Sequence, residues 1–242
     1  MLKAVQNSFL SLIYPQECKV CGDQVESLDA GSACLNCWNS TRIFGGSEML
    51  CDKCGAFLGE EAGLTTVFCH KCDDHSYDKA NAVGVYEKAL AASIISLKSS
   101  PNLCKLARSS IQKAIAKTDF SGTDLVVPVP LSKIRRLERG FNQAEIIAAE
   151  VGRLTRLPVD TLSLVRKIHT PMHRAGMDQK AREITVKNAF EVLRPKLVKG
   201  KNILLIDDVF TSGATSSNCA RVLKKNGSGD VLVFTLARAV MQ

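Results

Sequence analysis

The chain has 242 residues and a mass of 26.3 kDa, which suffices for one domain of ordinary size and a smaller module. Its composition, 45% hydrophobic and 23% charged, excludes collagen-like, low-complexity and wholly disordered classes. No apolar run reaches the roughly 20 residues that a membrane-spanning helix needs, so we expect no membrane span.

The first fourteen residues are the candidate for a targeting segment. This stretch contains Lys3 and several apolar residues, but polar side chains interrupt it and no small-x-small cleavage site follows before Pro15. We therefore expect a short amphipathic helix here. A cytoplasmic location is also expected, because the cysteines are arranged as metal-ligand pairs rather than as scattered disulfide partners.

Charge and cysteine content both change near residues 73–80. Residues 1–75 hold five basic and ten acidic side chains, so this part has a net charge of −5 and the remainder carries +13 within the overall +8. Eight of the ten cysteines also lie before residue 73. We predict two domains, 1–75 and 76–242. The basic second part indicates an anionic partner, either nucleic acid or a phosphorylated small molecule, unless it is only a solvated basic surface.

Four Cys-x-x-Cys pairs dominate the first domain. They form two repeats, with 12 and 14 residues between the pairs and a glycine after the first pair of each repeat. Two such pairs complete a tetrahedral zinc site, and a site closed by four thiolates is structural. The repeat favours sequential pairing over an interleaved arrangement, which stays open. Sequential pairing places one Zn²⁺ on Cys18, Cys21, Cys34 and Cys37, and a second on Cys51, Cys54, Cys69 and Cys72. We expect His70 and His75 to face solvent.

Beyond residue 75, apolar strands alternate with amphipathic helices, which predicts an α/β fold with a mainly parallel sheet. The expected strands are 82–86, 124–129, 203–206 and 231–236. The expected helices are 88–97, a second one after the break at 99–102 that runs to about residue 117, 141–154, and 214–225. Ligands of such sheets bind beyond the carboxyl ends of the strands.

The segment 203–215 carries the strongest functional signal. An apolar strand ends at Asp207 and Asp208, and a small loop rich in hydroxyl groups, Thr211 to Thr215, then opens a helix. Backbone N–H groups at such a helix start bind anions, and adjacent carboxylates accept hydrogen bonds from vicinal sugar hydroxyls. A phosphorylated ribose would satisfy both halves, whereas an ordinary capped strand-turn-helix is the alternative.

This segment resembles the 5-phosphoribosyl-1-pyrophosphate (PRPP) signature of type I phosphoribosyltransferases. The whole chain resembles the ComF/GntX competence-associated group, through the double ribbon, the Val-Pro-Val-Pro motif at 127–130 and the Arg-Gly-Phe-Asn-Gln motif at 139–143. The resemblance implies the type I phosphoribosyltransferase fold, preceded by a double zinc ribbon.

The resemblance also implies a binding site for PRPP with Mg²⁺. The ribose hydroxyls would lie on Asp207 and Asp208. The 5′-phosphate would lie on the phosphate loop, which we define as Thr211, Ser212, Gly213, Ala214 and Thr215. A loop that begins with Leu131, Ser132 and Lys133 would approach the pyrophosphate. Arg136 and Arg139 would offset the charge that develops on this leaving group.

Residues 164–190 resemble the mobile hood of the family, where Thr-x-x-Gln and Arg-x-x-Asn are usual. The candidate ligand contacts in this segment are Arg166, His173 and Arg182. His173 and Thr185 stand at the positions of the usual Gln and Asn, so the motifs do not indicate the acceptor. An ordinary exposed loop is the alternative.

Three functions fit these patterns. The first is a PRPP-dependent pentosyltransferase with an unidentified acceptor. The second is a module that handles single-stranded DNA during natural transformation, together with an ATP-driven competence helicase. The third is a PRPP sensor without catalysis. Aromatic residues, the usual stacking platforms for single strands, make up only 5% of the chain. Charge-driven, salt-sensitive DNA binding is therefore expected.

Overall fold

The computed structural model describes residues 15–59, 66–167 and 189–240. The predicted N-terminal helix lies outside these residues, as do His173, Arg182 and Thr185. Within the described part of the chain, no helix is long and apolar enough to span a bilayer.

Short elements hold the cysteine pairs. The first repeat has a single antiparallel bridge between Glu17 and Gln24, a 3-10 turn at Leu28–Ala30 and helix α1 at Leu35–Asn39. The second repeat is an antiparallel pair of strands, followed by a 3-10 turn. These elements are β1 (Met49–Leu50), β2 (Phe57–Gly59) and the turn His70–Cys72.

The rest of the chain alternates strands and helices. The strands are β3 (Lys79–Ala82), β4 (Leu125–Pro128), β5 (Leu164–Arg166), β6 (Phe190–Val192), β7 (Ile203–Phe210) and β8 (Val231–Arg238). The helices are α2 (Lys88–Ser96), α3 (Lys105–Lys117), α4 (Lys133–Arg139), α5 (Gln143–Thr155), α6 (Pro195–Val198) and α7 (Ala214–Lys225). Four strands form a parallel sheet in the order β3-β8-β7-β4, and β5 pairs with β6 in a separate antiparallel ribbon.

The parallel sheet is buried on both faces, which explains the unbroken apolar run at the start of β7. Leu204 and Ile206 belong to a core cluster with residues of α2, α3 and α5. Ile203 and Leu205 belong to a second cluster with residues of α7 and β6. Each cluster also contains cysteines of one repeat, the first repeat in the former and the second in the latter. The two cysteine repeats therefore extend different sides of the core.

The predicted α/β architecture with a parallel sheet after a zinc-ribbon region is confirmed, but several element bounds differ. Strand β7 runs to Phe210 instead of ending at residue 206, because its last residues continue to pair with β8. Strand β3, the first strand of the parallel sheet in chain order, lies at 79–82, earlier than the expected 82–86. Helices α4 and α6 and the β5-β6 pair are additional elements. The domain boundary at residue 75 stays a prediction.

Candidate functional site

The eight cysteines form two tetrads in the sequential pairing. Within each tetrad all four Sγ atoms lie within 4.8 Å of one another, so the interleaved arrangement is excluded. The Sγ–Sγ distances are 3.7 Å for Cys18–Cys37 and Cys21–Cys34, 3.7 Å for Cys51–Cys72 and 3.4 Å for Cys54–Cys69. A zinc ion with four bonds of about 2.3 Å spaces its sulfurs about 3.8 Å apart. Both tetrads therefore fit structural zinc.

The repeat is visible in the hydrogen bonds to the first cysteine of each tetrad. The backbone N–H of Cys34 donates to Cys18 Sγ at 3.3 Å, and that of Cys69 donates to Cys51 Sγ at 3.3 Å. Burial acts to raise the pKa of Cys18 and of Cys51, but backbone N–H donors outweigh it and lower each pKa to about 6. These two thiols are therefore predisposed to the thiolate form that zinc requires.

The expectation that both histidines face solvent is wrong for His75. His70 is exposed, but His75 is half-buried and its Nδ1 lies 2.6 Å from the Tyr77 hydroxyl. The cause is the close approach of the phosphate loop, because a Cβ atom at Gly213 would lie 2.8 Å from the His75 ring. Neither histidine belongs to a tetrad.

A cleft of about 450 Å³ lies at the carboxyl edge of the parallel sheet, as the fold predicts. It is bordered by the segment after β4, by α4, by the starts of α5 and α7, and by the end of β7. Its charged lining combines four cations with two carboxylates: Lys98, Arg135, Arg139, Arg166, Asp207 and Asp208. The cleft is thus suited to a ligand that carries both anionic groups and hydroxyls.

Asp207 and Asp208 lie within β7, since the strand is longer than predicted. The backbone N–H of Asp208 donates to Asp207 Oδ1 at 2.9 Å. Burial and the neighbouring charge of Asp208 raise the pKa of Asp207 well above its usual range, while Arg166 acts in the opposite direction. A cation or a donor hydroxyl beside this pair would relieve the repulsion between the two carboxylates.

The phosphate loop begins directly after Phe210, whose ring is buried. Gly213 precedes α7 with a φ of +79°, and a Cβ atom there would lie 2.6 Å from Phe210 Cζ. Glycine is therefore required twice, by the backbone conformation and by the close approach of the ring. Thr211 and Thr215 line the cleft, whereas Ser212 lines a second cavity of about 340 Å³ that residues of the second tetrad also border.

The predicted pyrophosphate side is only partly brought to the cleft. Leu131 lines it, and Ser132 is buried and caps α4 by accepting a hydrogen bond from the Arg135 N–H. Lys133 is exposed and is not among the lining residues.

The arginines of α4 divide between two directions. Arg139 lines the cleft and donates to Gln143 Oε1 at 2.9 Å. Arg136 instead pairs with Glu145 and does not line the cleft. Arg135, which the sequence interpretation did not assign to the PRPP site, takes this place. Positions 135 and 139 are four residues apart and share a helix face, so this spacing would have found Arg135 once α4 was known to be helical.

Two further residues complete the cleft. Arg166 on β5 lies in the lining, and burial lowers its pKa together with the positive charge of Arg135. Gln143 is 2% exposed, and its Nε2 has no hydrogen-bond partner within the described ranges. A buried amide donor without an acceptor is costly, and this one belongs to a residue that lines a polar cleft. The donor set thus fits a ligand rich in oxygen atoms.

Comparison with known proteins agrees with this architecture. Residues 9–74 match the model of the double zinc ribbon domain. Over 215 residues the chain is 26% identical to "Competence protein F" of Haemophilus influenzae, which covers 85% of this chain and 90% of that protein. It is 27% identical over 215 residues to "DNA utilization protein YhgH" of Escherichia coli strain K12, with 86% and 90% covered.

A third relative is "Competence protein ComFC" of Bacillus subtilis, 34% identical over 133 residues that cover 51% of this chain and 52% of that protein. Among solved structures, glutamine PRPP amidotransferase from B. subtilis matches with a TM-score of 0.39 and 22% identity, over 57% of this chain and 29% of that chain. The protein therefore combines a double zinc ribbon with an α/β domain built on a four-stranded parallel sheet. Its resemblance to the ComF group is confirmed, and it is a homologue of those proteins.

Proposed function

We propose that the protein binds PRPP with Mg²⁺ in the cleft and acts as a phosphoribosyltransferase-like protein in natural transformation, where it handles incoming single-stranded DNA. One observation carries the PRPP assignment. The two acids of β7, the start of α7, two arginines of α4 (Arg135 and Arg139) and Arg166 of β5 all border a single cavity. A PRPP molecule presents hydroxyls, a phosphate and a pyrophosphate, and each has a chemical counterpart there.

The parts of the ligand are assigned by chemistry. Asp207 and Asp208 accept the ribose hydroxyls, and the 5′-phosphate lies on the N–H groups at the start of α7. Arg135 and Arg139 neutralise the pyrophosphate. Mg²⁺ prefers carboxylate and phosphate oxygens and would add positive charge beside the leaving group. These residues orient the anomeric carbon and stabilise the departing pyrophosphate, so displacement there needs no protein nucleophile.

The DNA role is supported by charge and by the relatives, whose names refer to competence and to DNA utilization. Residues 76–242 carry a net charge of +13. Lys133 and Arg136 on α4 are exposed beside the cleft. A single strand bound here would be held through its phosphates, so affinity would fall steeply with salt.

The PRPP assignment is tested with the double variant Asp207→Asn, Asp208→Asn. It should abolish PRPP binding in calorimetry while the protein retains two zinc ions per chain. The matched control is Asp73→Asn, Asp74→Asn. It removes the same charge from two exposed aspartates that are also consecutive in the sequence. Unaltered PRPP affinity in the first variant would refute the assignment.

The DNA assignment is tested by neutralising Arg135, Arg136 and Arg139 to glutamine. The plot of log affinity for single-stranded DNA against log salt should become less steep by up to about 0.7 per lost phosphate contact. Replacing Arg194, Lys196 and Lys199, which are exposed at α6, removes equal charge as a control. An unchanged slope for the α4 variant would show that this surface does not contact the DNA phosphates. If the protein binds DNA but not PRPP, it is a non-catalytic nucleic-acid-binding module. If it binds PRPP but transfers the phosphoribosyl group to no acceptor, it is a PRPP sensor.

A further inference from the structure

Arg238, at the end of β8, is a buried cation that faces a cysteine of the second tetrad. The residue is 5% exposed, and within the described residues no carboxylate oxygen lies within 4.0 Å of its guanidinium nitrogens. Its guanidinium donates to the Cys54 carbonyl oxygen and, at 3.4 Å, to Cys54 Sγ. Because a buried charge needs a partner, the thiolate centre is the anion that makes this position tenable.

Arg238 also contacts Phe210, the residue that precedes the phosphate loop. The Arg238 Cζ lies 4.4 Å from the centroid of the Phe210 ring, and the two residues are also paired between β7 and β8. The Phe210 ring in turn lies so close to Gly213 that a Cβ atom there would be 2.6 Å away. A continuous line of contacts thus runs from Cys54 through Arg238 and Phe210 to the phosphate loop.

A second line of contacts leaves the same tetrad at Cys72. The backbone N–H of His75 donates to the Cys72 carbonyl at 3.1 Å, and the His75 ring is the other group that crowds Gly213. The N–H of the next residue, Ser76, donates to Ser217 Oγ at 3.0 Å, in the first turn of α7. Residues that adjoin the second tetrad therefore contact the phosphate loop at Gly213 and α7 at Ser217.

We propose that the second zinc site positions the phosphate loop, and that Arg238 is the positioning residue that couples them. Four thiolates around one Zn²⁺ carry a net charge of −2, which the guanidinium partly neutralises while it holds Phe210 against the loop. Loss of this zinc would remove the partner of Arg238 and loosen the loop. The first tetrad belongs to the other core cluster, so its zinc lacks this route. The proposal rests on the proposed function only for the identity of the ligand, PRPP.

The experiment compares wild type with Arg238→Met, which keeps an unbranched apolar stem but removes the charge and the donors. Zinc release to a chromophoric chelator should show two phases. Trp38, the single tryptophan of the chain, is buried in the first ribbon, so its fluorescence identifies the phase of the first site. In Arg238→Met the other phase should become about tenfold faster or more, as expected for loss of a hydrogen bond to a metal ligand. The phase reported by Trp38 should not change.

The position of the loop is measured directly by hydrogen exchange of the peptide that covers residues 211–217, with no ligand added. Exchange should be faster in Arg238→Met than in the matched control Arg42→Met. Arg42 also lies over an aromatic ring of the second ribbon, that of Phe57, but its charge is paired with the Glu87 carboxylate. If Arg238→Met does not fold, Arg238→Lys keeps the charge and loses the paired donation, and the same changes should appear at smaller size.

Measurements with PRPP distinguish failure of the proposed function from failure of the proposed coupling between the second zinc site and the phosphate loop. In wild type, saturating PRPP with Mg²⁺ should slow the second phase of zinc release, because coupling is reciprocal, and Arg238→Met should weaken PRPP binding about tenfold. If wild type binds no PRPP, the proposed function fails, while faster exchange and faster zinc release in Arg238→Met would still support the coupling. Unchanged zinc release or unchanged loop exchange in Arg238→Met would overturn it.

Discussion

Replacing Gly213 by alanine tests the packing of the phosphate loop against the second ribbon. Gly213 has a φ of +79°, and its new Cβ would lie 2.6 Å from Phe210 Cζ and 2.8 Å from His75 Cε1. The left-handed backbone costs alanine about 1 kcal/mol, and overpacking of a tight site costs about 1 to 3 kcal/mol. The free energy of unfolding should therefore fall by about 2 to 4 kcal/mol, and the displaced loop should bind PRPP more weakly.

The assay is urea unfolding of the zinc-loaded protein, with Gly200→Ala as the matched control. Gly200 has a φ of +72° but no atom within 4 Å of the position of its Cβ, so its variant carries only the backbone cost. Equal losses of stability in the two variants would show that Phe210 and His75 do not confine the loop, and would refute the reasoning.

Three further outcomes are expected. Asp207→Asn should stabilise the ligand-free protein at pH 7, because burial and the charge of Asp208 disfavour the carboxylate form of Asp207. Because the pKa of Asp207 is raised in the folded state, the stability of the wild type falls as the pH rises above the unfolded pKa near 4. Thermal melts should therefore show no difference in stability between Asp207→Asn and wild type below pH 4. A variant that is no more stable than wild type at pH 7 would contradict the burial of this charge. Arg139→Gln should weaken PRPP binding about tenfold, whereas Arg136→Gln, which breaks an exposed pair with Glu145, should change affinity less than about twofold and stability by less than about 1 kcal/mol; calorimetry in which the two variants behave alike would rule out this division. Chelation of both zinc ions should shift Trp38 fluorescence to the red, because Trp38 is 7% exposed and donates to the Ala30 carbonyl at 2.9 Å, and an unshifted spectrum would show a ribbon that folds without metal.

The features that follow from local chemistry could be predicted from the sequence. Two Cys-x-x-Cys pairs must converge to fill a tetrahedron, and the repeat favoured the sequential pairing that the structure shows over the interleaved one. Strands buried on both faces leave unbroken apolar runs, which predicted β4, β7 and β8 and the parallel sheet. The start of α7 was predicted at the correct residue because Gly213 ends the preceding loop.

Features that depend on tertiary contacts could not be predicted. Asp207 and Asp208 belong to β7 because β8 continues alongside them, and polar residues carry no strand signal of their own. We predicted Arg136 at the cleft because we expected a loop after residue 130. The segment is instead helix α4, in which Arg136 pairs with Glu145 and Arg135 lines the cavity. The burial of His75 depends on a partner more than 130 residues away in the sequence, which no local pattern encodes.

The most direct test of the proposed PRPP site is calorimetric titration of the zinc-loaded protein with PRPP, with and without Mg²⁺, at moderate salt. We expect saturable binding of one PRPP per chain that depends on Mg²⁺, since the two carboxylates of β7 and the pyrophosphate repel each other without a cation. No heat of binding with Mg²⁺ present, in protein shown to hold two zinc ions and to be folded, would contradict the assignment of the cleft.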